Sequence, residues 1–439
     1  MAYTFRGGVH VHEHKNTAQA TVLPCTAPSL VFIPLCQHIG APCRPIVSVG
    51  QAVCKGQKIG EVEQGLGCPV HSSVSGRVKE LRTVGGIQQV VIENDGLNTL
   101  DPAIRKSGRV LSETDPAEIV ACVREAGIVG MGGAAFPTYA KLQSSIGKVD
   151  TLLINAAECE PFITANHRLL LERPESVLRG AEILRHALGL SKALLAIEDN
   201  KPNAVAVFEG LSADRDDLEV RVMRTKYPQG DERQLVFALT GKEIPTGKLP
   251  FDVGCVIFNA ETTAAVAAAF DDGMPLVERI VTVDGDCVAH PRNLLAPVGI
   301  PLSALVDCCG GLVREPKKLI CGGPMMGVAQ WDPHTPLLKA TTAVLVFSAD
   351  MYPSFKGPQA CIHCGRCVAA CPMHLMPNYI AAYACQGLYE EADTFGATPC
   401  IECGCCSYVC PAEVPIVQYI RVAKNALRAK RQQKGGGAQ

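Results

Sequence analysis

The chain has 439 residues, a formal net charge of −2 and 19% charged residues, so it lacks the basic face that a nucleic-acid binder needs. Its length suits two to four domains. No run approaches the roughly 18–20 apolar residues that cross a bilayer, and the best candidate, Cys255 to Phe270, is interrupted by Asn259 and Glu261.

In chain order, His10, His12 and His14 alternate. On an extended strand they would share one side, which suits a metal or, with no second ligand group near them, plain surface polarity. Residues 20–93 read as short strands and turns. Val47 to Val53, Gly56 to Val62 and Val70 to Val78 alternate apolar residues between glycines, the pattern of a small β-barrel or sandwich. The stretch resembles the folded hairpins of biotinyl and lipoyl carrier domains. However, Ser72-Ser73-Val74-Ser75 stands where a carrier lysine would be, so a structural or docking module is expected.

A helix follows, with Asp115 as N-cap, Pro116 in its first turn and Gly127 at its end. Next comes Gly130-Met131-Gly132-Gly133-Ala134-Ala135-Phe136-Pro137-Thr138 and a helix carrying Lys141. Such a loop lets backbone N–H groups approach a phosphate, and the next helix N-terminus favours the anion. The loop follows a helix rather than a strand and has neither Rossmann nor Walker A spacing. Alone it reads as a tight turn or a phosphate site.

The buried-strand run Thr151 to Ile154 ends in Asn155-Ala156-Ala157-Glu158-Cys159-Glu160-Pro161, and polar residues just past such a strand are where open α/β sheets bind ligands. A helix from Pro174 to Leu188 and a strand from Ala193 to Ile197 continue the alternation, predicting a mostly parallel sheet. Tyr227 to Glu232 and Lys248 to Phe251 precede a strand, Gly254 to Phe258, that ends in Asn259-Ala260-Glu261-Thr262. From Arg279 to Ile320 the pattern is β-rich again, with Pro301 opening a short helix. This small α+β domain ends near Cys321 to Gly327, and its pair Met325-Met326 reads as packing.

Near the C-terminus, Cys361 to Pro372 and Cys400 to Pro411 each read C-x2-C-x2-C-x3-C-P, the run that holds a [4Fe–4S] cluster in two-cluster ferredoxins. The proline turns the chain outward, so the fourth cysteine serves the other cluster. Cys361, Cys364, Cys367 and Cys410 are thus assigned to one cluster, and Cys400, Cys403, Cys406 and Cys371 to the second. Zinc sites come as widely separated pairs instead. Asn378 to Phe395, between the motifs, has helical composition. Cys385 and Cys405 are spare thiols. Cluster ligands must stay reduced, residues 1–8 hold no apolar signal core, and the cytoplasm is the expected compartment. Arg421 to Gln439 carries six basic residues and no acid, a frayed helix able to touch a partner or anionic lipid headgroups.

Taken together, Gly130 to Thr138, Asn155 to Pro161 and Asn259 to Thr262 resemble the flavin- and NADH-binding motifs of the NADH-binding subunit of respiratory complex I. The order of Phe5-Arg6-Gly7-Gly8-Val9-His10, hairpin domain, glycine loop, β-rich domain and twin cluster motifs is similar, over nearly the whole length, to the RnfC family of the Rnf electron transport complex. The resemblance implies a multidomain α/β and α+β chain. Its parts would be an N-terminal segment plus β-rich barrel-sandwich domain (1–110), an α/β FMN/NADH-binding domain (111–275), a small SLBB-like β-grasp domain (276–350), a helical two-cluster ferredoxin-type domain (351–425) and a disordered basic tail (426–439). It also implies a peripheral subunit on the cytoplasmic face of a bacterial membrane, partnering the other subunits of the complex, especially a ferredoxin-like iron–sulfur one. Electrons would pass between the clusters, FMN and NAD(H), coupled elsewhere in the complex to sodium or proton translocation.

By position, the resemblance places FMN on Gly130, Gly132, Gly133, Lys141, Asn155 and Asn259. NAD(H) would lie near Phe136, Asp231, Glu232, Lys248 and Phe251, with Glu158 and Glu160 accepting from its ribose or nicotinamide amide. Three positions depart from the complex I motif: Met131 replaces an arginine, Ala135 the last glycine and Ala157 an aspartate that helps hold the flavin. The chemistry needs both modules, because clusters take single electrons, NAD takes a hydride, and a flavin handles either. Two alternatives remain. One is a soluble flavin and iron–sulfur cobalamin reductase of a bacterial microcompartment, disfavoured by the Phe5 to His14 phrase. The other is a non-enzymatic cluster-bearing adaptor whose nucleotide site has decayed, favoured by Met131 and Ala157.

Overall fold

The computed structural model describes residues 2–352, 357 and 359–435, with side chains through Gln432. Its central layer is a sheet of four strands in the order Leu218–Met223, Ala193–Glu198, Thr151–Ala156, Cys255–Asn259, all parallel. Their apolar runs suit a sheet with helices on both faces. The helices Pro174–Leu188 and Ala260–Asp272 pack so closely that a Cβ on Gly180 would lie 1.8 Å from the Thr263 carbonyl oxygen. From Thr151–Ala156 the chain builds outward in one direction, then returns on the other side with Cys255–Asn259. The crevice beyond Asn155 and Asn259, which face each other across the two strands, is therefore the point where the strand order reverses, the ordinary ligand position in such sheets.

The hairpin module is a sandwich. One sheet holds Leu30–Pro34, Ile87–Asn94, Gly76–Val84 and Ala52–Val53, and the other holds Arg44–Pro45, Lys58–Glu61 and Val70–His71. Its apex is not presented to solvent. Ser72 and Ser73 are fully buried, and Ser73 Oγ donates to the Val298 carbonyl at 2.5 Å. The strand Leu23–Pro24 leaves this module and joins the six-stranded sheet of the next one, beside Arg292–Pro297. Val31, Ile33 and Ile92 share a single core with Val281, Leu294 and Val346, so the two modules are fused by their hydrophobic interior. Across that junction Cys25 and Cys308, 283 residues apart, are disulfide-bonded. Neither cysteine belongs to the two cluster motifs, and only the fold brings this pair together.

The C-terminal module is helical. Pro377–Ala384 and Tyr389–Thr394 lie between the cysteine motifs, and Ile416–Gly435 closes the chain. Within this last helix Ile416, Ile420, Ala423 and Leu427 are buried at helical spacing, while Arg431 pairs with Asp393 at 3.3 Å and Lys430 with Glu390. The described part of 426–439 is thus helix, not a disordered tail. Among the described residues no helix is long and apolar enough to cross a membrane.

The N-terminal segment ties the modules together. Tyr3 bridges Met223 and Val9 bridges Tyr227, while Gly8 N donates to the Ala370 carbonyl at 2.9 Å. Gly7 has φ +72°, and a Cβ there would sit 2.6 Å from the Cys371 carbonyl oxygen. His14 has φ +47°; its ring lies 4.1 Å from that of His12 and stacks on Phe162 at 4.7 Å. Among the described residues, no group of three His, Cys, Asp or Glu could hold a single metal ion.

Candidate flavin and cluster centre

The glycine loop begins and ends on a pair of antiparallel contacts. Gly130 N donates to the Phe136 carbonyl at 2.9 Å and Thr138 N to that of Ile128 at 3.0 Å, so the segment between them is pushed out as an arch. Gly132, Gly133 and Ala134 at its top are exposed. At Gly132 a Cβ would meet the Asn259 amide nitrogen at 2.9 Å, so any larger residue would displace that side chain. Met131 points the other way: it is buried, packs in the core, and its N–H donates to Thr262 Oγ1 at 3.0 Å. Ala135 keeps the backbone of the glycine it replaces, at φ +54°.

This arch stands over the crevice. Asn259 caps the helix Ala260–Asp272 by accepting from Glu261 N at 2.9 Å. Opposite, Asn155 Nδ2 donates to the Gly230 carbonyl at 2.9 Å and Asn155 Oδ1 accepts from Ala157 N at 3.0 Å. Lys141, one turn into the helix after the loop, pairs with Glu232 Oε1 at 2.5 Å and donates to the Ile257 carbonyl at 3.2 Å. Asp231 caps the helix Glu232–Thr240 by accepting from Arg233 N and Gln234 N, and burial pushes its carboxyl up to about 6. Lys248 is exposed and Phe251 half-buried on the segment entering the last strand. That segment is held to the same helix start through Arg233, whose guanidinium donates to the Lys248 carbonyl at 3.0 Å.

The two expected acceptors are otherwise engaged. Glu158 is buried and accepts from Asn166 N at 2.8 Å and His167 N at 3.2 Å, at the start of the helix Ala165–Glu172. Glu160 accepts from Met325 N at 3.1 Å and Met326 N at 2.9 Å, and burial raises it to about 7. Lys15 braces the turn by donating to the carbonyls of Glu158, Glu160 and Ile163 at 2.6–2.8 Å. Each of these carboxylate oxygens thus accepts one backbone N–H, which fixes the wall of the crevice and leaves a second lone pair on each oxygen.

In the C-terminal module, the four expected ligands Cys371, Cys400, Cys403 and Cys406 line one cavity together with Cys405, Leu375, Ile380, Val417 and Ile420. The last cysteine of the first motif thereby joins three of the second. Cys367 is buried, Cys410 half-buried, and Cys361 and Cys364 exposed. The two copies repeat their backbone. His363 and Glu402, Gly365 and Gly404, and His374 and Glu413 occupy matching motif positions, all at positive φ. Within the second copy Glu402 is fixed by Lys424 at 2.6 Å and Arg421 at 3.1 Å.

Sequence reading missed the role of the loop that joins crevice and cavity, Tyr227 to Asp231. Tyr227 is buried and its hydroxyl donates to the Cys403 carbonyl at 2.7 Å; three residues on, Gly230 meets Asn155. Two buried polar groups of this region, Thr138 Oγ1 and the whole Gln229 carboxamide, have no partner within the protein. A crevice with an open glycine arch and helix starts fits a flavin phosphate ester. An apolar space lined by the four expected ligand thiols and by Cys405 fits an iron–sulfur cluster.

Comparison with known proteins agrees in each region. The RnfC barrel sandwich hybrid domain matches residues 3–97, the Nuo51 FMN-binding domain 123–268, the SLBB domain 280–329 and the 4Fe-4S dicluster domain 354–411. The chain is 42% identical over 435 residues to the C component of the Na(+)-translocating ferredoxin:NAD(+) oxidoreductase complex of Acetobacterium woodii, covering 98% of both chains. It is 42% identical over 441 residues to the proton-translocating counterpart of Clostridium ljungdahlii, covering 98% of this chain and 95% of the other. With the C component of the ion-translocating oxidoreductase complex of Rhodobacter capsulatus it shares 39% identity over 445 residues, 99% of this chain and 85% of the other. Among solved structures, an NAD+-reducing [NiFe]-hydrogenase in the H2-reduced state superimposes with a TM-score of 0.47 at 23% identity, covering 64% of this chain and 52% of that one.

Proposed function

Because the chain belongs to the RnfC family of the ion-translocating ferredoxin:NAD(+) oxidoreductase (Rnf) complexes, we propose that it is the subunit where NAD(H) exchanges electrons with that complex's iron–sulfur chain. It is an oxidoreductase subunit with FMN and two [4Fe–4S] clusters as cofactors. When bound, FMN supplies the conversion between hydride and single-electron transfer. In balance, NADH and two oxidised clusters give NAD+, two reduced clusters and one proton.

The observation that carries the reading is the loop Tyr227 to Asp231, which touches the crevice at Asn155 and the cluster cavity at Cys403. In this proposal Gly130, Gly132 and Gly133 bring the backbone up to the FMN phosphate. Lys141 offsets its charge, and Asn155 and Asn259 orient the ring end. Phe136, Phe251, Lys248, Asp231 and Glu232 border the nucleotide entrance, and Glu158 and Glu160 hold its wall rigid. Cys371, Cys400, Cys403 and Cys406 carry the cluster on the flavin side. Cys361, Cys364, Cys367 and Cys410 carry the one that meets a ferredoxin-like iron–sulfur subunit, at the cytoplasmic face of the membrane. The exposure of Cys361 and Cys364 supports that order.

Anaerobically reconstituted protein should bind FMN and about eight iron atoms, as two cubanes require, and NADH should bleach both chromophores. Flavin that stays oxidised under excess NADH would sink the proposal.

A further inference from the structure

The segment Tyr3 to Val9 belongs to neither cofactor site, yet it runs through the junction between them. On one side it pairs with the flavin domain. Tyr3 N donates to the Val222 carbonyl at 2.9 Å and Arg224 N to that of Tyr3 at 2.8 Å, while Val9 and Tyr227 exchange backbone hydrogen bonds at 2.8 and 3.0 Å. On the other side it holds the cluster domain, where Gly8 N donates to the Ala370 carbonyl at 2.9 Å. Phe5 is buried under Lys226, whose Nζ lies 4.7 Å from the ring centre. Val9 shares one small core with Tyr227, Ala370, the expected ligand Cys403 and Cys405. The two glycines face opposite partners. Gly7 has φ +72°, and a Cβ there would lie 2.6 Å from the Cys371 carbonyl oxygen, on the cluster side. Gly8 has φ +73°, and a Cβ there would lie 2.5 Å from the Tyr227 carbonyl oxygen, on the flavin side.

Direct bonding across the junction is slight. Among the described residues, Tyr227 Oη donates to the Cys403 carbonyl at 2.7 Å, the Cys405 thiol to the Tyr227 carbonyl at 3.9 Å and Gln234 Nε2 to Met373 Sδ at 3.5 Å. Two of these use sulfur, a weak donor or acceptor. Domains joined so lightly move against one another unless something else fixes them. We propose that Tyr3 to Val9 is a clasp that sets the spacing between the flavin and the cluster held by Cys371, Cys400, Cys403 and Cys406. It governs how fast electrons cross, not the loading of either cofactor. This rests on the flavin reading above and keeps its balance: per NADH oxidised, two clusters gain one electron each and one proton is released. Backbone hydrogen bonds to both domains hold the two centres in register, and transfer between separate centres weakens steeply with distance.

The test uses full-length protein carrying FMN and both clusters, mixed anaerobically with NADH while flavin and cluster bleaching are followed separately. Gly7→Ala and Gly8→Ala press on opposite domains. Both should keep FMN, about eight iron atoms and the parent's rate of flavin bleaching. Cluster bleaching should slow by about tenfold or more, the scale expected of displaced reacting centres. Gly96→Ala is the control, because Gly96 has the same φ of +73° but a Cβ there meets nothing within 4 Å; its traces should match the parent. Cluster bleaching that keeps its rate in both variants would overturn the clasp, as would iron loss from either or an equal lag in the control. A second measurement needs no flavin. In protein lacking residues 2–9, with clusters but without FMN, amide exchange should quicken at Tyr227 to Asp231 and Cys403 to Val409 and hold in the strands Thr151–Ala156 and Ala193–Glu198. Quickening throughout the chain, or none, would overturn the clasp too. Failure of the unaltered protein to bind FMN would remove the flavin reading itself, a distinguishable result.

Discussion

Tyr227 and Cys403 lie 176 residues apart, yet the tyrosine hydroxyl donates a 2.7 Å hydrogen bond to the cysteine's carbonyl. The same tyrosine's backbone N–H and carbonyl are both taken by Val9. N-terminal segment, flavin domain and cluster domain thus meet on one side chain. Tyr227→Phe leaves a buried carbonyl unpaired, an expected loss of about 1–2 kcal/mol. Hydrogen bonding around a cluster sets its potential, so an EPR-monitored redox titration should show one of the two cluster signals displaced and the other in place. Equal displacement of both would count against the contact's being local.

Crossed ligation makes a pairwise prediction. Cys371→Ser should disturb the same EPR signal as Cys403→Ser, and Cys410→Ser the same signal as Cys364→Ser. Each variant that loses a cubane should fall from about eight to about four iron atoms. Should Cys371→Ser match Cys364→Ser instead, each motif would be serving its own cluster.

Glu261 belongs to the stretch that resembles a flavin motif, but its carboxylate points away from the crevice. It meets Arg279 Nη2 at 2.6 Å and Ile280 N at 2.7 Å, both buried, and so locks the flavin domain to the next sheet. Glu261→Ala strands a buried guanidinium and should cost roughly 3–5 kcal/mol, read as a lower denaturation midpoint. A midpoint within error of the parent would show that Arg279 finds another partner.

Gly180→Ala should destabilise by at least about 1–3 kcal/mol, because its Cβ would overlap the Thr263 carbonyl oxygen and force two packed helices apart. Gly133→Ala is the control. A Cβ there meets nothing within 4 Å, so the melting temperature should hold while FMN affinity falls.

Three buried carboxyls should subtract stability as pH rises from about 4 to about 7, opposing the buried histidines His38, His71 and His167, whose lowered values act with the other sign. Burial raises Glu160 to about 7 and Asp231 and Asp284 to about 6. A carboxyl raised on folding stabilises the folded state while protonated. That contribution is full below the unfolded value, near 4, and is lost as pH climbs through the folded one. Thermal melts of Glu160→Gln at those two pH values should fall less, or rise more, from the lower to the higher than those of the parent; an equal change would place the titration elsewhere.

Much of this was legible in one dimension because the chemistry is local. The cysteine spacing names its cluster, since three ligands two residues apart must share a cubane. Gly130 to Thr138 announces a backbone arch, since only glycine lets a chain approach Asn259 so closely. Asp115, Pro116 and Gly127 delimit their helix by short-range hydrogen bonding, as the structure has it.

What the tertiary structure alone decided was which of these local pieces face one another. Asn155 and Asn259 each end a strand, but their adjacency comes from a strand order that no window of residues contains. Glu158 and Glu160 look like unpaired turn carboxylates until folding supplies backbone N–H groups from Asn166, His167, Met325 and Met326 to their oxygens. Cys25 finds Cys308, the hairpin apex disappears under Val298, and Arg431 is tied to Asp393, all through contacts distant in sequence. The junction at Tyr227 and Cys403 is of the same kind. Residue type and spacing determine what a segment can do, whereas burial and long-range pairing determine which of its polar groups are left over to do it.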